Sequence, residues 1–315
     1  MKNMLVYRGE QFDANFYYFA GVDIDHAFFL QKGKKRILLV PKMNEAAARE
    51  TFRGTVVAYK DAFRELRRML SGTVGVDERN ISLHAAKRLK KICRLENASE
   101  NMLQERMRKK KEEINAMAKA TRLTREILDN LELKEGIREE EVKKQLLQAT
   151  LEEGAGPAFE PIVATAKNAR FPHYQPGKAR LKDMVLIDYG VKYDRYCSDV
   201  TRCFFLRKNK KMEEAYEKCR AVSEALLDEM ADMRTGNQVA RAADALMKRH
   251  GLPSLIHSIG HGVGLDVHEY PRLNTRHRDP IKGTVMAIEP AAYFPSFGVR
   301  FENTIAFNGK KARIL

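Results

Sequence analysis

Two apolar stretches, MVLIDYG (184–190) and SDVTRCFFL (198–206), each carry one aspartate, Asp188 and Asp199. Their composition reads as a pair of strands, with the polar run Lys192-Tyr193-Asp194-Arg195 as the hairpin turn between them. A turn there sets the two aspartates opposite each other, with Cβ atoms about 4.5–5.5 Å apart. Carboxylates that close repel, and one pKa rises unless a cation lies between them. The pair is therefore a proton-sharing dyad or a metal clamp.

The sequence that follows supplies further ligand types. HSIGHGVGLDVHEYPRL (257–273) places His257, His261 and His268 among glycines, Glu289 ends TVMAIEP (284–290), and Glu302 lies in VRFENTIAF (299–307). One imidazole and four carboxylates, each from its own segment, form a mixed nitrogen and oxygen shell, suited to Mn, Co, Zn or Fe(II) and not to a soft sulfur site. Gly260 and Gly262 around His261 argue for a tight backbone, and for presentation on a loop or strand instead of a helical zinc motif. Strand alternation in VRFENTIAF puts Arg300, Glu302 and Thr304 on one face, so Arg300 is placed to orient a ligating carboxylate.

The chain has 315 residues, 44% of them hydrophobic, which is enough for two domains. Residues 16–93 alternate strand and helix: FYYFAG (16–21), AFFL (27–30) and RILLVP (36–41) as strands, then MNEAAARETF (43–52) as a helix, then two further strand–helix pairs ending at SLHAAKRLKKIC (82–93). Glu105 to Leu131 reads as one long helix bridging the two domains, and Glu139 to Leu151 as another. Helices over Met212–Met233 and Gln238–His250 complete the pattern. The four cysteines lack CxxC spacing and read as buried, reduced thiols. No apolar run approaches the roughly 20 residues of a membrane helix. The opening MKNMLVYRGEQFDANF has no signal-peptide pattern, so a cytoplasmic location is expected. The net charge of +15 raises nucleic acid as a partner. Lys87–Lys91 and Arg106–Lys111 are nevertheless read as solvated helix faces, because no RNA-binding sheet signature or zinc finger accompanies them.

These segments resemble the metal-ligand motifs of the creatinase-like, or pita-bread, metallopeptidases, in their aminopeptidase P and prolidase branch. Asp188 in LIDYG, Asp199 in YCSDVTRCF, His261 in HSIGHGVGLDVHEYP, Glu289 in AIEP and Glu302 in VRFEN match the five ligand positions in order. YYFAGVDIDHAFF is similar to the early strand pair of the family's N-terminal domain. The resemblance implies an α+β chain: a small α/β creatinase/prolidase-type domain over residues 1–98, then a pita-bread catalytic domain over 99–315.

The resemblance also implies two divalent metal ions per chain, Mn or Co before Zn or Fe, with a bridging hydroxide as nucleophile. Asp188 and Glu302 then bind both metals, Asp199 completes one site, and His261 and Glu289 complete the other. Glu289 doubles as the proton shuttle, and His268 polarises the scissile carbonyl. His173 and His257 match two further active-site histidines. Arg272 in HEYPR matches an arginine with which prolidases hold the free carboxylate of a dipeptide. Arg300 fits the proline-directed branch, whereas methionine aminopeptidases have glutamine there. The implied activity is hydrolysis of the bond between an N-terminal residue and a following proline, by a homodimer. Ala291 and Asn303 depart from the family's usual glycine and aspartate. The competing reading is a non-catalytic pita-bread module binding nucleic acid, ribosomes or histones; such modules lose ligands, and none of the five is missing here.

Overall fold

The computed structural model describes residues 3–315. They fall into two units, one ending at Arg106 and the other Met107–Leu315. The first contains β1 (Asn3–Tyr7), α1 (Ala14–Ala20), β2 (Phe28–Lys32), β3 (Lys35–Pro41), α2 (Glu45–Thr51), β4 (Thr55–Tyr59), α3 (Ala62–Met69), β5 (Thr73–Val76), α4 (Leu83–Leu89) and β6 (Arg94–Asn97), after which α5 (Ser99–Met107) begins. Its sheet runs β4-β3-β2-β1-β5-β6, with β2 antiparallel to both neighbours and the other pairs parallel. Period-two alternation divides the apolar side chains between two faces. Val6, Phe29, Leu38 and Val40 pack with Phe16 of α1 and Ala48 of α2, while Leu5, Phe28, Leu30 and Leu39 pack with Leu66 of α3 and Leu89 of α4.

FYYFAG is helical, not a strand. Asp13 caps α1 by accepting the Phe16 N–H at 2.7 Å, and Gly21 ends it in the left-handed region at φ 75. Those two caps override the strand preference of the aromatic residues between them. The strand NMLVY, now β1, lies outside the segments assigned from sequence.

The second unit contains α6 (Lys111–Asp129), α7 (Glu139–Glu152), β7 (Gly156–Pro157), β8 (Ile162–Thr165), β9 (Met184–Tyr189), β10 (Val191–Tyr193), β11 (Tyr196–Cys197), β12 (Val200–Phe205), α8 (Lys210–Glu229), α9 (Gly236–Arg249), β13 (Gly260–Gly262), β14 (Glu269–Arg272), β15 (Thr284–Ile288), β16 (Ala291–Tyr293), β17 (Gly298–Arg300), β18 (Asn303–Phe307) and β19 (Ala312–Ile314). Its largest sheet is β14-β13-β15-β18-β19, and β12-β9-β8 forms a smaller one. Met286, Ile288, Ile305 and Phe307 pack with Leu226 of α8 and Leu246 of α9. Val185 and Ile187 of β9 pack with Leu123 of α6 and Val142 of α7. Mixed helix and sheet bear out the α+β expectation.

Three local expectations need correction. The long helix over Glu105–Leu131 is broken between Met107 and Lys111. There Lys109 gives its backbone N–H to the Gly283 carbonyl and pairs with Glu269 at 2.9 Å, both side chains being almost fully buried, while Glu113 caps the new start at Lys110. Secondly, Asp188 faces Thr201 and not Asp199. The turn is centred on Asp194 and Arg195, both with positive φ, as a two-residue primed turn requires, and that centre slips the expected register. Thirdly, VRFENTIAF is not one strand: β17 pairs with β16 and β18 with β15, and the chain crosses between sheets at Phe301-Glu302.

The central position of β13 depends on its glycines. A Cβ on Gly260 would stand 2.0 Å from the Ala287 carbonyl oxygen, and one on Gly262 2.0 Å from that of Tyr270. Both contacts are backbone, which cannot swing aside. Gly262→Ala is expected to destabilise the protein by about 1–3 kcal/mol. Thermal unfolding checks this against Gly156→Ala, where a Cβ meets nothing within 4 Å and the midpoint should not move.

Candidate metal centre

Every candidate ligand sits at a strand end or on the irregular strand β13. Asp188 is the penultimate residue of β9, Asp199 precedes β12, His261 is the middle residue of β13, Glu289 follows β15, and Glu302 lies at the crossing between β17 and β18. Backbone bonds fix these ends. The Glu289 N–H donates to the Ile259 carbonyl at 2.9 Å, the Glu302 N–H to that of Thr201 at 3.3 Å, and the Asp199 N–H to Thr304 Oγ1 at 2.8 Å.

The result is a cluster of four carboxylates, three of them buried and Glu289 half-buried, beside one buried guanidinium. Arg300, 3% exposed, donates from Nη2 to Asp188 Oδ2 at 2.5 Å and from Nε to Thr201 Oγ1 at 2.9 Å; Thr201 in turn donates to Glu302 Oε2 at 2.5 Å. One cation thus holds Asp188 directly and Glu302 through a hydroxyl. Burial, then the charges of Glu302, Asp188 and Glu289, push the Asp199 carboxyl well above its ordinary range. Burial and Glu302 do the same to Glu289. Glu302 is pushed up to about 7 by burial and Asp188. Arg300 stays firmly charged, because its acidic neighbours outweigh the cost of burial.

The imidazoles do not offset this charge. Burial first, and His268 second, lower His261 to about 4, so it is neutral. Its Nδ1 is 3.1 Å from the Gly262 carbonyl oxygen, an acceptor only, which puts the proton there. Nε2 then presents a lone pair to Asp199 Oδ2 at 3.5 Å. Two acceptors facing each other need either a proton on the raised Asp199 carboxyl or a cation between them. Asp199, His261 and Glu302 offer ligand atoms all within 4.8 Å of one another, and Asp188 Oδ1 is buried with no hydrogen-bond partner. These residues therefore fit a divalent ion. Asp199, with Glu302, lies beside His261, while Asp188 is turned toward Arg300.

The histidines assigned to substrate line a cavity of about 790 Å³ that also reaches the five candidate ligands. His257, its pKa lowered by burial, has Nδ1 2.7 Å from the Ser258 carbonyl oxygen and Nε2 2.9 Å from Tyr293 Oη. Tyr293 accepts from Arg300 Nη1 at 3.1 Å, so its own proton points to His257 Nε2. The His268 ring lies tilted against that of His261, centroids 4.1 Å apart, with its pKa lowered mainly by burial. His173 shares the cavity wall with Phe159, Ile162, Tyr174, Val267 and Leu273. Arg272 lines it too, with Nε and Nη2 engaged by Asp279 at 2.8 and 2.9 Å.

Sequence reasoning missed four residues of this arrangement: Thr201, Tyr293, Asp279 and Glu139. Glu139, fully buried at the start of α7, accepts from the Thr165 N–H (2.8 Å), Asn168 Nδ2 (2.9 Å), Tyr174 Oη (2.8 Å) and the Gly177 N–H (3.2 Å). It ties down the segment carrying His173. Its partners lie 26 to 38 residues along the chain, so no local pattern announces it. Tyr293, four residues after Glu289, is the one member with a readable signal, being an aromatic hydroxyl in a ligand-bearing segment.

The raised carboxylates give a pH dependence with a definite sign. Glu302, moved from 4.5 to about 7, binds more protons folded than unfolded across that interval. The metal-free protein therefore loses stability as pH rises through it, and a divalent ion removes the loss. The rise in melting temperature on adding Mn²⁺ or Co²⁺ should be larger at pH 7 than at pH 5, as read by scanning fluorimetry. Equal increments at both pH values would contradict the electrostatic account.

Comparison with known proteins identifies the family. Residues 115–308 match the family model of metallopeptidase family M24, and residues 2–109 that of the creatinase/prolidase N-terminal domain. An Xaa-Pro dipeptidase of Pyrococcus furiosus is 31% identical over 318 residues, covering 94% of this chain and 90% of that one. A putative Xaa-Pro aminopeptidase of Mycoplasma pneumoniae is 34% identical over 221 residues, 66% of this chain and 62% of that one. The structure of a prolidase from Pyrococcus furiosus superimposes with a TM-score of 0.89 at 27% identity, covering 100% of this chain and 96% of that one. This chain, with its creatinase/prolidase-type N-terminal domain, belongs to metallopeptidase family M24.

Proposed function

We propose that this protein is a dinuclear peptidase that hydrolyses the bond between an N-terminal residue and a following proline, with preference for dipeptides. The observation that carries the reading is the lone pair of His261 Nε2 facing Asp199 beside Glu302, at the floor of a peptide-sized cavity. The names of the relatives support proline as the second residue. Arg272 in the cavity wall supports a free carboxylate next to it.

Asp188, Asp199, His261, Glu289 and Glu302 would hold the two ions. Four oxygen-donating residues to one nitrogen favour Mn or Co, and Zn or Fe(II) also suit the set. When bound, the ions supply Lewis-acid polarisation and a water of lowered pKa. Glu289, a carboxylate at the cavity wall beside the other ligands, takes a proton at its carboxylate from the attacking water and delivers it to the departing proline nitrogen. Neutral His268 donates to the scissile carbonyl oxygen, where negative charge develops. Arg300, through Asp188, Thr201 and Tyr293, keeps two ligands and His257 in register. Proline needs such a dedicated cavity because its amide lacks an N–H and has a cis form close in energy to the trans.

The alternative of a binding module without catalysis is disfavoured by the complete ligand set. Metal analysis of purified protein should find two ions per chain, and Asp199→Ala should lose at least one. Glu289→Gln should lower kcat by about 10²–10⁴-fold. Rates on Xaa-Pro, Xaa-Pro-Yaa and longer proline-second peptides test the specificity. No hydrolysis of any of them after Mn²⁺ or Co²⁺ addition, with well under two ions bound, would overturn the reading.

A further inference from the structure

Arg272 closes β14 and shares the cavity wall with His173, His257 and His268. Its guanidinium is held on an edge and on a face. Nε donates to Asp279 Oδ2 at 2.8 Å, Nη2 to Oδ1 at 2.9 Å, and the Tyr270 ring lies 4.2 Å from the guanidinium carbon. Asp279 Oδ2 also accepts the backbone N–H of Arg272 at 2.9 Å, which locks the carboxylate to the strand that bears the arginine.

Asp279 is itself anchored. Its carbonyl accepts the Gly236 N–H at the first residue of α9 (2.9 Å), and Thr235 and Pro280 form a β-bridge beside it. Gly236 is packed so closely that a Cβ there would stand 2.2 Å from the Arg272 carbonyl oxygen. Burial alone would raise the Asp279 pKa, but the hydrogen bonds and charge of Arg272 hold it below the usual carboxylate range, so the pair is ionic at neutral pH.

We propose that Asp279 is a specificity-determining positioning residue: by gripping the Nε–Nη2 edge of Arg272, it fixes that guanidinium in the cavity wall to receive the free α-carboxylate of a dipeptide substrate. The inference rests on the Xaa-Pro peptidase reading and deepens it. An arginine on its own loses rotamer freedom when it captures a carboxylate; one already clamped has lost it on folding. The clamp has a second consequence. With its charge matched by Asp279, Arg272 exerts little long-range pull on anions in general, so recognition rests on N–H direction and distance. That selects a carboxylate at one remove from the scissile bond, the position it occupies in a dipeptide.

The test uses the Mn²⁺-loaded enzyme with an Xaa-Pro dipeptide and its C-terminal amide, which keeps the shape and lacks the charge. Asp279→Ala should raise KM for the dipeptide at least fivefold with kcat within twofold, and leave KM for the amide within twofold. Asp279→Glu should restore part of the dipeptide KM. Asp279→Asn, which keeps the shape and one acceptor, serves if the alanine variant does not fold, and should show the same selectivity at smaller size. Equal losses on both substrates would reduce Asp279 to a loop staple and overturn the inference alone. So would a lower dipeptide KM in the alanine variant, which would make Asp279 a competitor for Arg272. A wild-type enzyme that cleaves neither substrate would instead overturn the Xaa-Pro reading, and this inference with it.

Discussion

Four carboxylates, three of them buried, share a single buried guanidinium, and the arrangement of the second unit follows from that imbalance. Asp188, Asp199 and Glu302 are each 9% exposed or less, and the three histidines nearest them have pKa values lowered, so they add no positive charge. Removing ions from water is costly unless they are paired and hydrogen-bonded. Arg300 offsets part of that cost directly at Asp188 and part through Thr201 at Glu302. What remains is a negative field with unmatched lone pairs at Asp188 Oδ1, His261 Nε2 and Asp199. Such a field is destabilising for the empty protein and binding energy for a divalent ion. Stability and metal affinity are here the same quantity seen from two sides.

A field of this kind needs groups that cannot relax apart, and the backbone provides that. Ligands placed in the middle of regular strands would alternate between faces; placed at strand ends and at the crossing after β17, they can converge. Short sheets that meet edge to end, instead of one large sheet, supply many such ends in a small volume. Gly260 and Gly262 let β13 run between β14 and β15 without a side chain on either flank of His261. The buried Lys109–Glu269 pair fixes the residue next to His268 from the start of α6, at the point where a continuous helix had been expected. Breaking that helix was the condition for bringing a cation to Glu269.

The chemistry of the site was legible in the sequence, and its internal order was not. Asp188 and Asp199 stood out because acids in apolar strands have no structural excuse, and His261 because two glycines flank it. The hairpin turn was legible as a polar run. Its centre was not, since Asp194 and Arg195 adopt positive φ without glycine, and moving that centre by one residue turned an expected Asp188–Asp199 pairing into Asp188–Thr201. Helix α1 was misread because aromatic content pointed to strand while the deciding atoms were the caps, Asp13 and Gly21. Thr201, Tyr293 and Glu139 went unnoticed for a common reason. Each acts by joining segments far apart in the chain, as Thr201 does with Arg300 across 99 residues, and only folding brings those partners together.

The protein uses one device twice, in two electrical settings. Arg300 is gripped by Asp188 with side-chain exposures of 4% and 13%, whereas Arg272 is gripped by Asp279 with exposures of 33% and 14%. In the first pair both partners are withdrawn from water, the carboxylates of Glu289 and Glu302 add to that of Asp188 around the arginine, and its charge holds candidate ligands in place. In the second the carboxylate is withdrawn while the guanidinium keeps a solvent-facing part at the cavity wall. Burying the anion more deeply than the cation fixes the orientation of the pair at the cavity wall. The same ionic bond therefore orders the candidate metal centre where both ends are buried and, in the role proposed for Arg272, positions a substrate-facing group where one end is half-buried.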